Sequence, residues 1–331
     1  MDKRKNWEVV EGEEQMSFGE EIYSIHKVDL KGMHPTYETA YEKSMEIVKG
    51  KRIQLDIFSN NKDCEKDKQS VIKKIEEINS VVHSDNGKME AMVQAEILET
   101  MLYVFSKDFS WFGENTSSIL PSVYDDLFLG NDLILEHKID DLVSHTGLGI
   151  DITLGEESSI NKLEYTRNRI KKGELGKVKY FQSPDGRYKG ELNSIPHFVV
   201  GIDRSNLFKI TDLWVKDKKE EIKNHPAQIS LLNQMIMQCD YFTSLLNKEI
   251  NKILILKSDD EYSKERKIKL TEKLKMAFKI YTEEKIRLVK TLEDRKKVLI
   301  ENSIDFRNYK DDISQVVEVY TKKRELMKYD S

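Results

Sequence analysis

The stretch YDDLFLGNDLILEHKIDDLVSHTGLGIDIT, residues 124–153, contains two short apolar segments that each include an acidic residue. The segments at residues 132–137 and 148–154 are rich in isoleucine and leucine and have glycines beside them, which is typical of β-strands. If residues 138–146 form the connecting loop, the two strands pair antiparallel. The stretch therefore predicts a strand hairpin, and the rest of the chain is interpreted around it.

The two acids are expected on one face of that hairpin. Side chains alternate along a strand, so Asp132 at the start of the first strand approaches Asp151 near the end of the second. Gly149 shares the face of Asp151 and leaves room for a backbone or a ligand. Burying two like charges costs on the order of several kcal/mol unless a cation neutralises them. The pair predicts a divalent cation, a lysine or exposure to solvent, whereas either acid alone would be an ordinary solvent-facing residue.

The segment after the second strand predicts a helix that carries a lysine. Residues 158–173, SSINKLEYTRNRIKKG, begin with a serine that can cap a helix and end at Gly173. Lys162 lies on the first turns of this helix, from where its side chain can reach back over the end of the strand. There it would orient a water or stabilise negative charge on a phosphate. Taken alone, Lys162 is more simply interpreted as a solvated helix lysine.

The order of the predicted elements resembles the core of the PD-(D/E)XK nuclease superfamily. A helix at residues 89–105 precedes the hairpin, and the helix with Lys162 precedes a strand at residues 195–203. In that family the first Asp and the acid of the next strand bind Mg²⁺, for which Mn²⁺ can substitute, and a lysine assists the attacking water. The resemblance covers about residues 89–204. It implies the α/β fold class, with a restriction-endonuclease-like α-β-β-α-β core and a long helical C-terminal region.

The resemblance transfers three catalytic roles to this sequence. It implies that Asp132 and Asp151 bind the metal and that Lys162 assists catalysis. The sequence departs from the family pattern at two positions: Asn131 stands where a proline is expected, and Thr153 stands where the strand lysine is expected. Lys162 can therefore act only if the lysine has migrated to the helix. If Lys162 faces solvent, the chain would be a degenerate member that does not cut.

The family often adds a glutamate from the preceding helix to the metal site. At 100° per residue, Glu90 falls near the middle of the apolar arc of the helix, whereas Glu96 and Glu99 point away from it. Glu90 is therefore the predicted third metal ligand.

Composition excludes several classes of protein. The 331 residues include 38% hydrophobic and 34% charged residues, and no apolar run approaches the ~20 residues of a membrane-spanning helix. The first residues lack the apolar centre of a signal peptide, so a cytoplasmic protein without membrane association is expected. Cys64 and Cys239 are too few for a disulfide framework or a structural zinc site, although one bridge stays open. Nucleotide-binding, zinc-protease and serine-hydrolase motifs are absent from the sequence.

The net charge of −5 lacks the basic character of many nucleic-acid-binding proteins, so such binding would need a local patch. Residues 162–189 carry nine basic and three acidic side chains, and this run would hold a nucleic-acid backbone. A solvated charged surface is the simpler interpretation of the run.

Changes in pattern divide the chain into three regions. An N-terminal helical or irregular region is expected at residues 1–84, a nuclease-like α/β domain at 85–224, and a helical hairpin or coiled coil at 225–331. The leading hypothesis is a Mg²⁺-dependent nuclease acting on DNA rather than RNA. The alternative is an inactive nuclease-like scaffold whose C-terminal helices bind a second copy or a partner protein. A third interpretation, a helical protein with an incidental sheet, would be supported if Asp132 and Asp151 lay far apart.

Overall fold

The computed structural model describes residues 16–26, 28–139, 142–255 and 261–326. It is a mixed structure of helices and two small sheets. The helices are α1 (Phe18–Ile25), α2 (Pro35–Lys51), α3 (Cys64–Val82), α4 (Asn86–Phe109), α5 (Val123–Leu129), α6 (Glu156–Ile170), α7 (Arg204–Val215), α8 (Lys219–Lys223), α9 (Ala227–Ile255), α10 (Glu261–Glu301) and α11 (Asp312–Leu326), with a short 3-10 helix at Leu55–Phe58. The strands are β1 (Thr116–Ile119), β2 (Leu133–Ile139), β3 (Leu142–Thr153), β4 (Gly176–Gln182), β5 (Lys189–Ile195) and β6 (His197–Gly201).

The larger sheet has the strand order β1-β2-β3-β6, in which β1, β2 and β3 are antiparallel and β6 is parallel to β3. The predicted hairpin is confirmed, with Leu133 opposite Ile150. The strands continue to Ile139 and from Leu142, so the connection is shorter than the predicted loop. The chain shortly before Asp132 forms the helix α5.

The two faces of this sheet pack against different partners. Leu135, Leu148 and Ile150 belong to the main hydrophobic core, together with residues of α4, α6, α7, α9 and α10. Ile134 points the other way, against Val178 and the rest of a small cluster on the β4–β5 hairpin. Because Asp132 alternates with Leu133 along the chain, it lies on the side of the sheet that this hairpin covers.

Asp125 on α5 anchors the β4–β5 hairpin. Its carboxylate accepts hydrogen bonds from the backbone N–H groups of Lys179 at 2.6 Å and Tyr180 at 3.0 Å, and from the Ser122 hydroxyl at 2.7 Å. Asn131 adds a bond from its Nδ2 to the carbonyl of Lys177 at 3.0 Å. The segment that leads into Asp132 is therefore fixed to both sheets.

Helices α9 and α10 cover the outer edge of β6. The Gln238 side chain accepts from the Val199 N–H at 3.0 Å and donates to its carbonyl at 2.7 Å, and Gln234 does the same at Gly201, with both bonds at 2.9 Å. The Tyr281 hydroxyl bonds both backbone groups of His197. An open strand edge would expose unpaired backbone groups, and these three side chains take the place of the missing strand.

The core crosses the predicted region boundaries. The largest hydrophobic cluster contains buried residues from all three regions, among them Tyr37, Phe198 and Phe242. The divisions after residues 84 and 224 stay predictions. Cys64 and Cys239 are both buried free thiols. No helix within the described residues is long and apolar enough to cross a membrane.

Candidate active site

Asp132 and Asp151 meet across the hairpin, as the sequence predicts. The Asp132 N–H donates to the Ile150 carbonyl at 2.8 Å, and the Asp132 carboxylate accepts from the Ile152 N–H at 2.6 Å. Asp132 therefore bonds to the residue on each side of Asp151. Asp132 is only 7% exposed. The two acids are therefore close together, so the separation that would have supported a helical protein with an incidental sheet is not found.

Lys162 reaches this acid pair from α6. Its Nζ donates to the Asp151 carboxylate and to the Ile152 carbonyl, so the lysine closes over the end of β3. The Lys162 side chain as a whole is 32% exposed. The expectation that the Lys162 side chain reaches back over the end of the strand is met by these contacts.

The electrostatics of the three groups are coupled. Burial and the neighbouring Asp151 charge hold the pKa of Asp132 well above its usual value. Burial lowers the pKa of Lys162, but the charges of Asp151 and Asp132 outweigh burial and raise that pKa above its ordinary value. Lys162 is therefore a firmly protonated cation beside an excess of negative charge.

Glu99 on α4 is the helix acid that joins this group. Burial and the charges of Asp132 and Asp126 raise the pKa of Glu99 well above its usual value. Arg52 partly compensates this charge: its guanidinium lies 2.6 Å from the Asp126 carboxylate and 4.0 Å from the Glu99 carboxylate. Neither Glu99 nor Arg52 is among the predicted site residues.

The prediction of Glu90 as the third ligand is corrected by its position. Glu90 is exposed near the start of α4, where its carboxylate accepts a hydrogen bond from Gln94 at 2.9 Å. From the apolar arc alone, the side of α4 away from the sheet is expected to face solvent, and that expectation is wrong. Helices of the N-terminal region pack on that side, so Glu99 is enclosed between α4, Arg52 and α5. The sequence feature that could have indicated burial on both sides of α4 is the presence of acidic residues within its apolar run.

Negative charge exceeds positive charge around the pair. The site and its surroundings contain Glu96, Glu99, Asp126, Asp132 and Asp151, against the permanent cations Arg52 and Lys162. Within the described ranges, no three His, Cys, Asp or Glu side chains are grouped so as to hold a metal ion. Mg²⁺ in enzymes is commonly held by only one or two carboxylates, with water and substrate phosphate completing its shell. Asp132 and Asp151 fit that smaller donor set, and their excess charge favours a cation.

His197 braces the loop beside the acids. Its Nε2 contacts the Gly130 carbonyl at 2.8 Å, and a Cβ on Gly130 would lie 3.7 Å from the Asp151 carboxylate. Burial lowers the pKa of His197, so the ring is neutral and Nε2 carries the donated proton in this contact. Gly130 has φ +66°, which favours glycine at this close approach.

Most of the basic run at residues 162–189 is engaged within the protein. Examples are Lys179 with Asp67 at 2.6 Å and Lys177 with Glu191 at 2.9 Å. Lys171 differs, since burial and the nearby cations Arg167, Lys252 and Lys248 lower its pKa, despite an opposing effect of Glu249. The positive surface is therefore smaller than predicted, and it combines the end of α6 with the end of α9.

Comparison with known proteins adds no relationship to this geometry. The chain matches no protein-family model, and no significant match is found among curated proteins or solved structures.

Proposed function

We propose that this protein is a metal-dependent nuclease that hydrolyses phosphodiester bonds, with DNA favoured over RNA as the substrate. The observation that carries the proposal is the meeting of Asp132, Asp151 and Lys162 at one point, although they come from three separate elements. A buried carboxylate and a half-buried one next to a protonated lysine are expensive for folding. An arrangement that weakens folding and joins acids to a cation is typical of catalytic sites.

The roles follow from the positions of the groups. Asp132 and Asp151 would hold Mg²⁺ or Mn²⁺, and Glu99 is a further carboxyl group beside them. A bound Mg²⁺ supplies Lewis-acid chemistry, activating water and neutralising phosphate charge. Lys162 offers a hydrogen-bond donor to the phosphate or to the attacking water, and its Ile152 carbonyl contact fixes where that donor lies. Arg52 is a positioning residue that orients Glu99 and Asp126.

The proposed fold follows from the same residues. The order of α4, β2, β3, α6 and β6 along the chain supports the restriction-endonuclease-like core that the sequence resemblance implies. The strand β1 and the β4–β5 hairpin are additions to the predicted α-β-β-α-β order. Helices α9–α11 would then support the core and present the positive surface near Lys171.

The alternative, a catalytically inactive scaffold, has one observation in its favour. Lys162 already pairs with Asp151, which satisfies one acid without a metal. Such a scaffold would bind a second copy or a partner protein through its C-terminal helices, where Ile268, Ile286 and Ile300 of α10 are exposed.

A cleavage assay separates the two functions. Full-length protein would be incubated with single-stranded DNA, duplex DNA and RNA in Mg²⁺, Mn²⁺ or EDTA. Cleavage in the metals and not in EDTA, reduced at least about a hundredfold by Asp132→Asn and by Lys162→Met, is expected. Asp212→Asn and Lys216→Met, which remove an exposed ion pair on α7, are matched controls that should retain full activity. Absence of cleavage of all substrates would reject the nuclease and favour the scaffold.

A further inference from the structure

Two exposed aromatic side chains belong to segments that touch the acid pair. Tyr165 lies almost one helical turn after Lys162 and is 63% exposed, and Phe128 near the end of α5 is 41% exposed. Lys162 contacts Asp151 directly. Gly130, just after Phe128 and its neighbour Leu129, approaches the Asp151 carboxylate from another segment. Exposed aromatic rings beside a candidate nuclease site are the kind of surface on which nucleic-acid bases stack.

The Tyr165 ring is held by a fixed cation. The Arg169 guanidinium carbon lies 5.7 Å from the ring centroid, and Arg169 Nη2 donates to the Leu175 carbonyl at 2.7 Å. A ring supported by a tethered guanidinium loses little conformational freedom when another flat group stacks on it. Tyr165 therefore offers a prepared stacking surface beside the catalytic lysine.

Phe128 is supported in a comparable way. Its ring stacks on Tyr124, with centroids 5.0 Å apart and planes 24° from parallel. Tyr124 is itself packed edge-on against buried Tyr180, at 5.6 Å between centroids. The aromatic column thus begins in the core and ends at the surface in Phe128.

The positive surface near Lys171 lies further along the helix that carries Tyr165. Lys171 lies nine residues after Lys162, which is about 14 Å along α6. The charges of Arg167, Lys248 and Lys252 act on it, and of these Arg167 also pairs with Glu164 and Lys252 with Glu249. A nucleic-acid strand whose phosphate lies at the acid pair can follow α6 past Tyr165 to these cations. The aromatic ring and the cations thus follow one another along the helix.

We infer that Tyr165 and Phe128 stack on unpaired bases next to the scissile phosphate, and that the substrate is single-stranded DNA or a locally opened duplex. In a paired duplex both faces of each base are already covered by neighbouring bases, so an aromatic side chain gains contact only with an unstacked base. This inference rests on the proposed function, since it assigns the substrate class of the same site.

Binding in the absence of cleavage tests the inference. Fluorescence anisotropy of full-length protein in EDTA would compare labelled oligothymidylate with the same strand paired to oligodeoxyadenylate. Tyr165→Leu and Phe128→Leu should each weaken single-strand binding about tenfold and leave duplex binding within twofold. Tyr165→Trp, which keeps a stacking surface, should retain wild-type affinity. Phe278→Leu on α10 is the matched control, because Phe278 is also exposed but lies on another helix.

The outcomes distinguish this inference from the proposed function. Wild-type protein that binds neither DNA form, or leucine variants that bind both forms like wild type, would overturn the stacking inference. Equal loss of single-strand and duplex binding would overturn it as well. If single-strand binding depends on Tyr165 while no substrate is cleaved in Mg²⁺, the stacking surface stands and the nuclease proposal fails. Cleavage that is unaffected by both leucine substitutions would leave the nuclease and remove the stacking role.

Discussion

Asp132 is poorly suited to stabilising the fold. Its burial and its proximity to Asp151 raise its pKa, so the ionised form is disfavoured in the folded state. Asp132→Asn removes the charge and keeps an oxygen for the Ile152 N–H. We expect a melting temperature equal to or above that of the wild type at pH 8, measured by differential scanning fluorimetry without metal. A clear fall in melting temperature would show that Asp132 has a structural role.

Asp311 provides a test of pH dependence away from the site. It is 3% exposed, and its carboxylate accepts from the Ser314 and Asp203 N–H groups; burial raises its pKa to about 6 from 3.8. The folded state therefore binds its proton more tightly than the unfolded state. The contribution of Asp311 to stability falls as pH rises from about 4 through about 6, by at most about 3 kcal/mol.

Asp311→Asn should remove this dependence. The free energy of unfolding of the variant minus that of the wild type should be larger at pH 8 than at pH 5. Urea denaturation of both proteins at both pH values measures this difference. The exposed Asp212→Asn provides the control. A stability difference between Asp311→Asn and wild type that is the same at both pH values would contradict the assignment.

Site residues whose position follows from one local sequence pattern could be predicted from the sequence. Asp132 and Asp151 were identified by their alternation in short strands, and Lys162 by its place on the next helix. Glu99 and Arg52 could not be identified in this way. Arg52 comes from the end of α2, far along the chain, and its contact with Asp126 depends on how the N-terminal helices pack on α4.

At the scale of the element, Gln238 links α9 to the edge of the sheet. Gln238→Leu would leave the Val199 N–H and C=O without their side-chain partner in a buried position. We expect the free energy of unfolding to fall by roughly 2 to 4 kcal/mol, measured by urea denaturation. Gln315→Leu on the exposed side of α11 should change it by less than about 0.5 kcal/mol. Equal effects of the two substitutions would contradict the edge-capping role.

Long periodic helices were predicted well, whereas three strands were missed. The predicted helix at residues 89–105 lies within α4, Asn86–Phe109. β1 is only TSSI, without the apolar alternation that marks a strand. In β4 the alternation of Val178 and Tyr180 with lysines was present, but the basic residues were interpreted as a charged surface. These strands are stabilised by pairing with their neighbours in the sheets, which the local sequence does not reveal.

At the scale of the whole molecule, the C-terminal helices are part of the core. Leu232, Phe242 and Tyr281 are fully buried in the same cluster as the sheet. A chain ending at residue 225 would expose this apolar surface and the edge of β6. We expect it to lack a cooperative urea transition, monitored by tryptophan fluorescence. A cooperative transition in the shortened chain would show that residues 225–331 form a separable unit, as the sequence pattern predicts.

The most direct test of the account is a crystal structure of the full-length protein with Mn²⁺, using anomalous scattering to locate the ion. One Mn²⁺ held by the carboxylates of Asp132 and Asp151 is expected, with Glu99 and the Lys162 amine nearby. A crystal in which Mn²⁺ is absent from this pair, while Lys162 keeps its contact with Asp151, would contradict the central claim that these residues form a metal-dependent catalytic site.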